Sequence, residues 1–219
     1  SMEVEDEAAI AEMRSTKTIE YSTEKYDFAG TLKDCLRLPA GTDLGTLHEV
    51  EGLDCAALAG AFNTFWERDG EFQQTVNRFL VEVVAAEMGG AARLVFQHRP
   101  SLRVIPPGSK GIKLHCDADY HHQPAEINWW IPLTVTAGTN TMWLESAPGM
   151  DDFAPVEMQY GQALRFYGNK CRHYTVVNET STTRISFDVR VCTGGSFVDD
   201  APEGRRDSGP QRFTLGGYY

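Results

Sequence analysis

Apolar and polar positions alternate in two different rhythms along the chain. In "LDCAALAGAFNTFWER" the spacing puts Leu58, Ala61, Phe62, Phe65 and Trp66 on one helical face, with Asp54 placed to cap the first turn. In "EFQQTVNRFLVEVVAAEMGG" the same spacing gathers Phe72, Val76, Phe79, Leu80, Val83 and Val84, and Gly89-Gly90 ends the run. Two core-facing helices are therefore predicted within residues 54–90. From Leu94 the rhythm shortens to β-rich runs broken by turns: "LVFQH", "LRVIPP", "IKLHCD", "EINWWIPLTV", "TMWLES", "PVEMQY", "ALRFYG", "HYTVVN" and "RISFDVRV". So many closely spaced strands imply a sandwich or barrel. The expectation is a mainly β chain with flanking helices, forming one domain over residues 1–219. Its helical support covers 54–90, its β core 94–192 and its tail 193–219, including the acidic, glycine-containing "VDDAPEGRRDSGPQRF".

Composition narrows the partners. A hydrophobic content of 42% in 219 residues is that of a folded chain, and a formal charge of −11 repels phosphate backbones and anionic lipid. Neither a nucleic-acid nor a membrane partner is predicted. Cys35, Cys55, Cys116, Cys171 and Cys192 are odd in number and form no CxxC pair, which suits reduced thiols in the cytoplasm. The start, "SMEVEDEAAI", has no basic and apolar leader, and Ser1-Met2 reads as a cloning remnant. No apolar run approaches the ~18 residues of a membrane span, and no GxGxxG or Walker loop supports nucleotide binding.

The chemistry concentrates in "KLHCDADYHHQP", residues 113–124, with His115, His121, His122, Asp117 and Asp119. On an extended strand, alternate side chains share a face, so His115 and Asp117 project together, and parity also admits Asp119 and His121. Four ligands strung along one strand would spread over roughly 20 Å, too far for one ion, so a second element must close the site. Of His48, His98 and His173, the last stands apart because it opens a late strand. Two neutral imidazoles and one carboxylate are the ligand set of non-haem Fe(II) oxygenases, leaving positions for a bidentate 2-oxo acid and O2. A 2-oxo acid also needs its distal carboxylate held, best by the planar fork of an arginine. Arg184 lies eleven positions after His173 on the following strand, and Ser186 shares its face. An HxD alone carries little weight; the combination with a distant strand-opening histidine and an Arg-x-Ser is far more specific. His121 and His122 are read as bystanders.

"HCD", "EINWWIPLT", "GTNTMWLES" and "YGQALRFYGNKCRHYTVVNETSTTRISFDVRV" resemble the Fe(II)/2-oxoglutarate-dependent dioxygenases of the phytanoyl-CoA hydroxylase type, and within them the StrG-like branch of streptomycin biosynthesis. The likeness spans residues 94–191. It implies a double-stranded β-helix, a cupin-like jelly roll with the metal between two sheets. It also implies that His115, Asp117 and His173 hold the iron and Arg184 anchors 2-oxoglutarate. By the same resemblance, Thr175, two positions after the distal histidine, competes with Ser186 for the role beside Arg184, and Trp130 lines the co-substrate pocket. Asn128, on the face of Trp130, is a weaker contact.

The implied activity is hydroxylation with release of succinate and CO2. Halogenation requires a small residue in place of the carboxylate ligand, and Asp117 is present. The alternatives are a cupin-like metalloprotein using the same triad without 2-oxoglutarate, and a non-catalytic sugar- or peptide-binding jelly roll. The predicted substrate is a small polar molecule with amino groups, such as an amino sugar or aminocyclitol. The StrG-like resemblance suggests it, and a carboxylate-rich mouth formed by Asp119, Glu126 and Glu145 is expected to attract it.

Overall fold

The computed structural model describes residues 7–66, 68, 70–199 and 213–219. Ser1-Met2 and residues 200–212 of the expected tail lie outside the described residues. The chain opens with helix α1 (Glu7–Arg14), strand β1 (Lys17–Glu20) and helix α2 (Phe28–Leu36), ahead of the predicted helical portion. The first predicted helix is α3 (Cys55–Trp66), with the Asp54 carboxylate accepting from the Ala56 amide at 2.9 Å. The second is α4 (Glu71–Phe79), which runs on through a π-turn at Leu80–Val84 and a last turn at Ala85–Glu87. It stops where Gly89 and Gly90 take positive φ of 76° and 68°. No helix among the described residues is long and apolar enough to cross a membrane.

Eight further strands follow: β2 (Leu94–Phe96), β3 (Ser101–Ile105), β4 (Ile127–Pro132), β5 (Met142–Leu144), β6 (Ala154–Pro155), β7 (Gln162–Phe166), β8 (His173–Thr175) and β9 (Arg184–Thr193). They form two antiparallel sheets. The larger runs β1-β7-β4-β9-β2, with β3 also on β9, and the smaller runs β6-β5-β8. This is the jelly-roll arrangement of a double-stranded β-helix. β1 was not predicted, because its four residues bury only Ile19 and so carry no periodic signal.

The larger sheet is buried on both faces. Along β9, Ile185, Phe187, Val189 and Val191 occupy one face, and Phe187 packs edge-on against Phe28 of α2 and Phe72 of α4, at ring separations of 5.1 and 5.6 Å. In register beside them, Ile131 pairs with Phe187 and Trp129 with Val189, so helices and sheet share one hydrophobic core. The opposite face carries Arg184, Ser186, Asp188 and Arg190, with Asn128 and Trp130 of β4. An alternating polar face usually meets solvent. Here it is turned inward, toward a cavity between the sheets.

"IKLHCD" departs from the strand predicted for it. Only His115 makes a bridge, to His173, and Asp117–Tyr120 form a 3-10 turn. The cause lies in the hydrogen bonds: the Asp117 amide donates to Gly168 O at 2.8 Å and the Asp119 carboxylate accepts from the Cys116 amide at 3.0 Å, so the chain turns instead of continuing a ladder.

Candidate metal centre

His115 and His173 meet through their backbones. Each amide donates to the other's carbonyl, at 3.1 and 2.8 Å, and the two imidazoles lie 4.4 Å apart between ring centres. The approach depends on Gly111, where an added Cβ would stand 2.0 Å from the Thr175 carbonyl oxygen and force the 111–115 segment off β8. Nδ1 of His115 donates to Lys113 O at 2.7 Å and Nδ1 of His173 to Cys171 O at 3.0 Å. A carbonyl only accepts, so both rings carry their proton on Nδ1 and keep the Nε2 lone pair for a metal. Burial lowers the pKa of His173 despite the opposing pull of Asp117, which favours the neutral, ligating form.

Asp117 completes the group: one donor atom from each of His115, Asp117 and His173 lies within 4.8 Å of the others. Its Oδ1 is 3.8 Å from His173 Nε2. Its Oδ2 is engaged elsewhere, accepting from Arg190 Nε at 2.8 Å and Asn128 Nδ2 at 2.7 Å. One oxygen is thus left for an ion. Burial opposes ionisation of Asp117, but the Arg190 guanidinium outweighs it and holds the carboxyl well below the usual carboxylate range. Two neutral imidazoles and an ionised carboxylate on one side of a cavity suit a divalent cation such as Fe(II). Arg190, which also pairs with Asp188 at 3.0 Å, escaped the sequence reading. The signal available was the run of polar residues on one face of β9, from Arg184 to Arg190.

His115 and Arg190 border two connected spaces. The inner pocket, about 70 Å³, is also lined by His173, Arg184, Thr175 and Trp130. Arg184 is buried, makes no ion pair among the described residues, and its Nε has no hydrogen-bond partner. Burial, with Arg103 nearby, pushes its pKa down to about 10, which leaves it charged at neutral pH. Thr175 faces this pocket, its hydroxyl accepting from the Ile112 amide at 2.7 Å. Ser186 is fully buried outside the lining, its hydroxyl unpartnered. Asn128 borders the pocket, but its amide is committed to Asp117.

The outer cavity, about 710 Å³, is bounded by α3, β3, the 3-10 turn and Gly217-Tyr218. The three carboxylates expected at its mouth do not line it. Asp119 caps its own turn. Glu126 is fully buried, accepting from His122 Nδ1 at 2.7 Å and from the Tyr219 hydroxyl. Glu145, also buried, accepts from the Arg172 amide at 2.6 Å and pairs with the Arg172 guanidinium at 3.2 Å. Buried and already paired, Glu126 and Glu145 do not form an open cation-attracting mouth. His121 is exposed at φ 67° and joins no ligand group among the described residues.

No family model matches the chain. Among solved structures, EctD from S. alaskensis with 2-oxoglutarate and 5-hydroxyectoine superposes with a TM-score of 0.61 at 13% identity, covering 98% of this chain and 85% of that one. The non-heme alpha-ketoglutarate-dependent carbocyclase SnoK from nogalamycin biosynthesis gives 0.55 at 15% identity over 88% and 85%. The nickel complex of the non-heme monooxygenase ThoJ gives 0.54 at 17% over 84% and 77%. These likenesses establish the double-stranded β-helix. In sequence, the chain is 33% identical over 150 residues to the streptomycin biosynthesis protein StrG of Streptomyces griseus, covering 68% of this chain and 67% of that protein. With that identity across two thirds of both sequences, the chain belongs to the StrG family.

Proposed function

We propose that this chain is an Fe(II)- and 2-oxoglutarate-dependent oxygenase of the phytanoyl-CoA hydroxylase type, hydroxylating a small polar molecule within one catalytic domain. His115, Asp117 and His173 hold the iron, and Arg184 with Thr175 holds the distal carboxylate of 2-oxoglutarate. Bound there, iron and 2-oxoglutarate supply the oxidising chemistry: O2 is reduced, the 2-oxo acid leaves as succinate and CO2, and a substrate C–H bond is oxidised. The observation that carries the reading is Arg184: a buried guanidinium without a carboxylate partner among the described residues, in a pocket that opens onto a His-Asp-His group. A buried cation without a partner is costly, and a 2-oxo acid satisfies it. A cupin-like metalloprotein acting without 2-oxoglutarate leaves that arginine unexplained.

Kinship with a streptomycin biosynthesis protein favours a small polar substrate, for which an amino sugar or aminocyclitol is the sequence-based expectation. The electrostatic part of that expectation loses support, because Asp119, Glu126 and Glu145 are absent from the cavity walls. All five cysteines are free, which supports a cytoplasmic setting. The test is 2-oxoglutarate turnover. Succinate formation that requires Fe(II) and is lost in Arg184→Ala is expected. Metal binding with no affinity for 2-oxoglutarate would return the chain to the cupin-like alternative.

A further inference from the structure

Charged groups lining the outer cavity are unevenly distributed. Arg103 of β3 stands where the two spaces join, with Arg99 nearby on the outer wall. The side chain of Arg103 is 45% exposed and makes no hydrogen bond among the described residues. Among the described residues the carboxylate it pairs with, Asp188, is 3.9 Å away and is held more closely, at 3.0 Å, by Arg190. The guanidinium therefore keeps donors for whatever fills the cavity. Among the described residues, Asp117 is the one carboxylate of the outer lining, and its Oδ2 already accepts from Arg190 and Asn128 while Oδ1 faces the His173 imidazole. Among the described residues, an ammonium group entering this space meets a guanidinium and no free carboxylate. An anionic group meets a donor fork.

We propose that the outer cavity binds a substrate carrying an anionic group, a phosphate or a carboxylate, and that Arg103 is its specificity-determining contact. The proposal deepens the oxygenase reading of the same site and relies on it only for the reaction that follows binding. It reverses the charge expected from the sequence. Arg103 also lies near enough to Arg184 to lower its pKa, so the alternative role, a second hand on 2-oxoglutarate, has to be separated by experiment.

Inorganic phosphate, glucose, glucosamine, glucose 6-phosphate and glucuronate are titrated calorimetrically into two forms of the protein: metal-free, and loaded with Mn(II) and 2-oxoglutarate. Expected is tighter binding of the anionic sugars than of glucose, with glucosamine weakest, and binding of phosphate itself. Arg103→Gln should weaken the anions about tenfold, the loss for one partly exposed charge-assisted contact, with Arg103→Lys between. The preference should persist in Arg184→Ala, and Arg103→Gln should keep its affinity for 2-oxoglutarate. Preference for glucose 6-phosphate over glucuronate assigns a phosphate, and the reverse a carboxylate. The proposal is overturned if no anion binds more tightly than its neutral parent, if glucosamine leads, if Arg103→Gln binds anions as the wild type does, or if its loss falls on 2-oxoglutarate. Failure of the wild type to take up Mn(II) and 2-oxoglutarate sinks the oxygenase reading alone, since anion preference is also measured in the metal-free protein.

Discussion

The inner pocket and the outer cavity meet at His115 and Arg190, yet they are assembled from different kinds of chain. Most side chains of the inner pocket stand on strands, with Trp130 on β4, Thr175 on β8 and Arg184 on β9, each held by ladder partners. The outer cavity is walled mostly by α3, by the 98–100 connection, by the 3-10 turn and by Gly217-Tyr218, with β3 and Arg190 of β9 as its strand contributions. Strand positions are over-determined by register and by core packing on the far face, so chemistry placed there is preorganised. Connections accept variation without disturbing the sheet, which suits them, beside Arg103 of β3, to choosing a substrate. The difference teaches that conserving the reaction and changing the substrate make demands on separate parts of this molecule.

Four experiments break or sharpen that contrast. The largest effect is expected at His173→Ala, which should abolish binding of Mn(II) or Fe(II) in a calorimetric titration, while His121→Ala, altering an exposed residue, leaves it intact. Next, Arg190→Met strips a buried carboxylate of its guanidinium. Removing one partner of a buried pair costs roughly 3–5 kcal/mol, so the metal-free variant should lose stability of that order in urea denaturation, and metal affinity with it. A loss below 1 kcal/mol would show that Asn128 alone suffices to hold Asp117. Third, Arg184→Ala should weaken 2-oxoglutarate by roughly 2–5 kcal/mol in the metal-loaded protein, and Arg184→Lys by less, because charge remains while the fork is lost. Smallest is the effect of the two hydroxyls. Thr175→Val should weaken 2-oxoglutarate by about 1 kcal/mol, whereas Ser186→Ala, outside the pocket, should leave that affinity unchanged. Equal losses would mean that the inner pocket rearranges when filled.

Much of the strand-borne half was legible beforehand. The β-rich runs after Leu94 announced a sandwich or barrel, the resemblance implied the jelly roll, and "RISFDVRV" displayed its two faces in its alternation. His115, Asp117 and His173 were named together, although the reason given for the first two was a strand that does not form. They converge because the chain turns at Cys116, with the Asp117 amide donating to Gly168 O and the Cys116 amide donating to the Asp119 carboxylate. Gly168 permits this approach, since a Cβ there would come within 2.6 Å of the Asn128 side chain. The bond from Asp117 to Gly168 links positions 51 residues apart and leaves no periodic trace.

The sequence by itself determined the periodicities, and with them the helices of the front, the strands of the back and the residue types able to bind a metal and a carboxylate. Local spacing suffices there, because side-chain direction within a helix or strand follows from backbone geometry alone. Tertiary structure decided which charges are free. Glu126 and Glu145 read in sequence as carboxylates of an open mouth, yet packing buries them beside Tyr219, His122 and Arg172, while Arg103 is left facing the cavity without a close partner among the described residues. Charge availability depends on burial and on partners from distant segments, and neither is written in the spacing of residues along the chain.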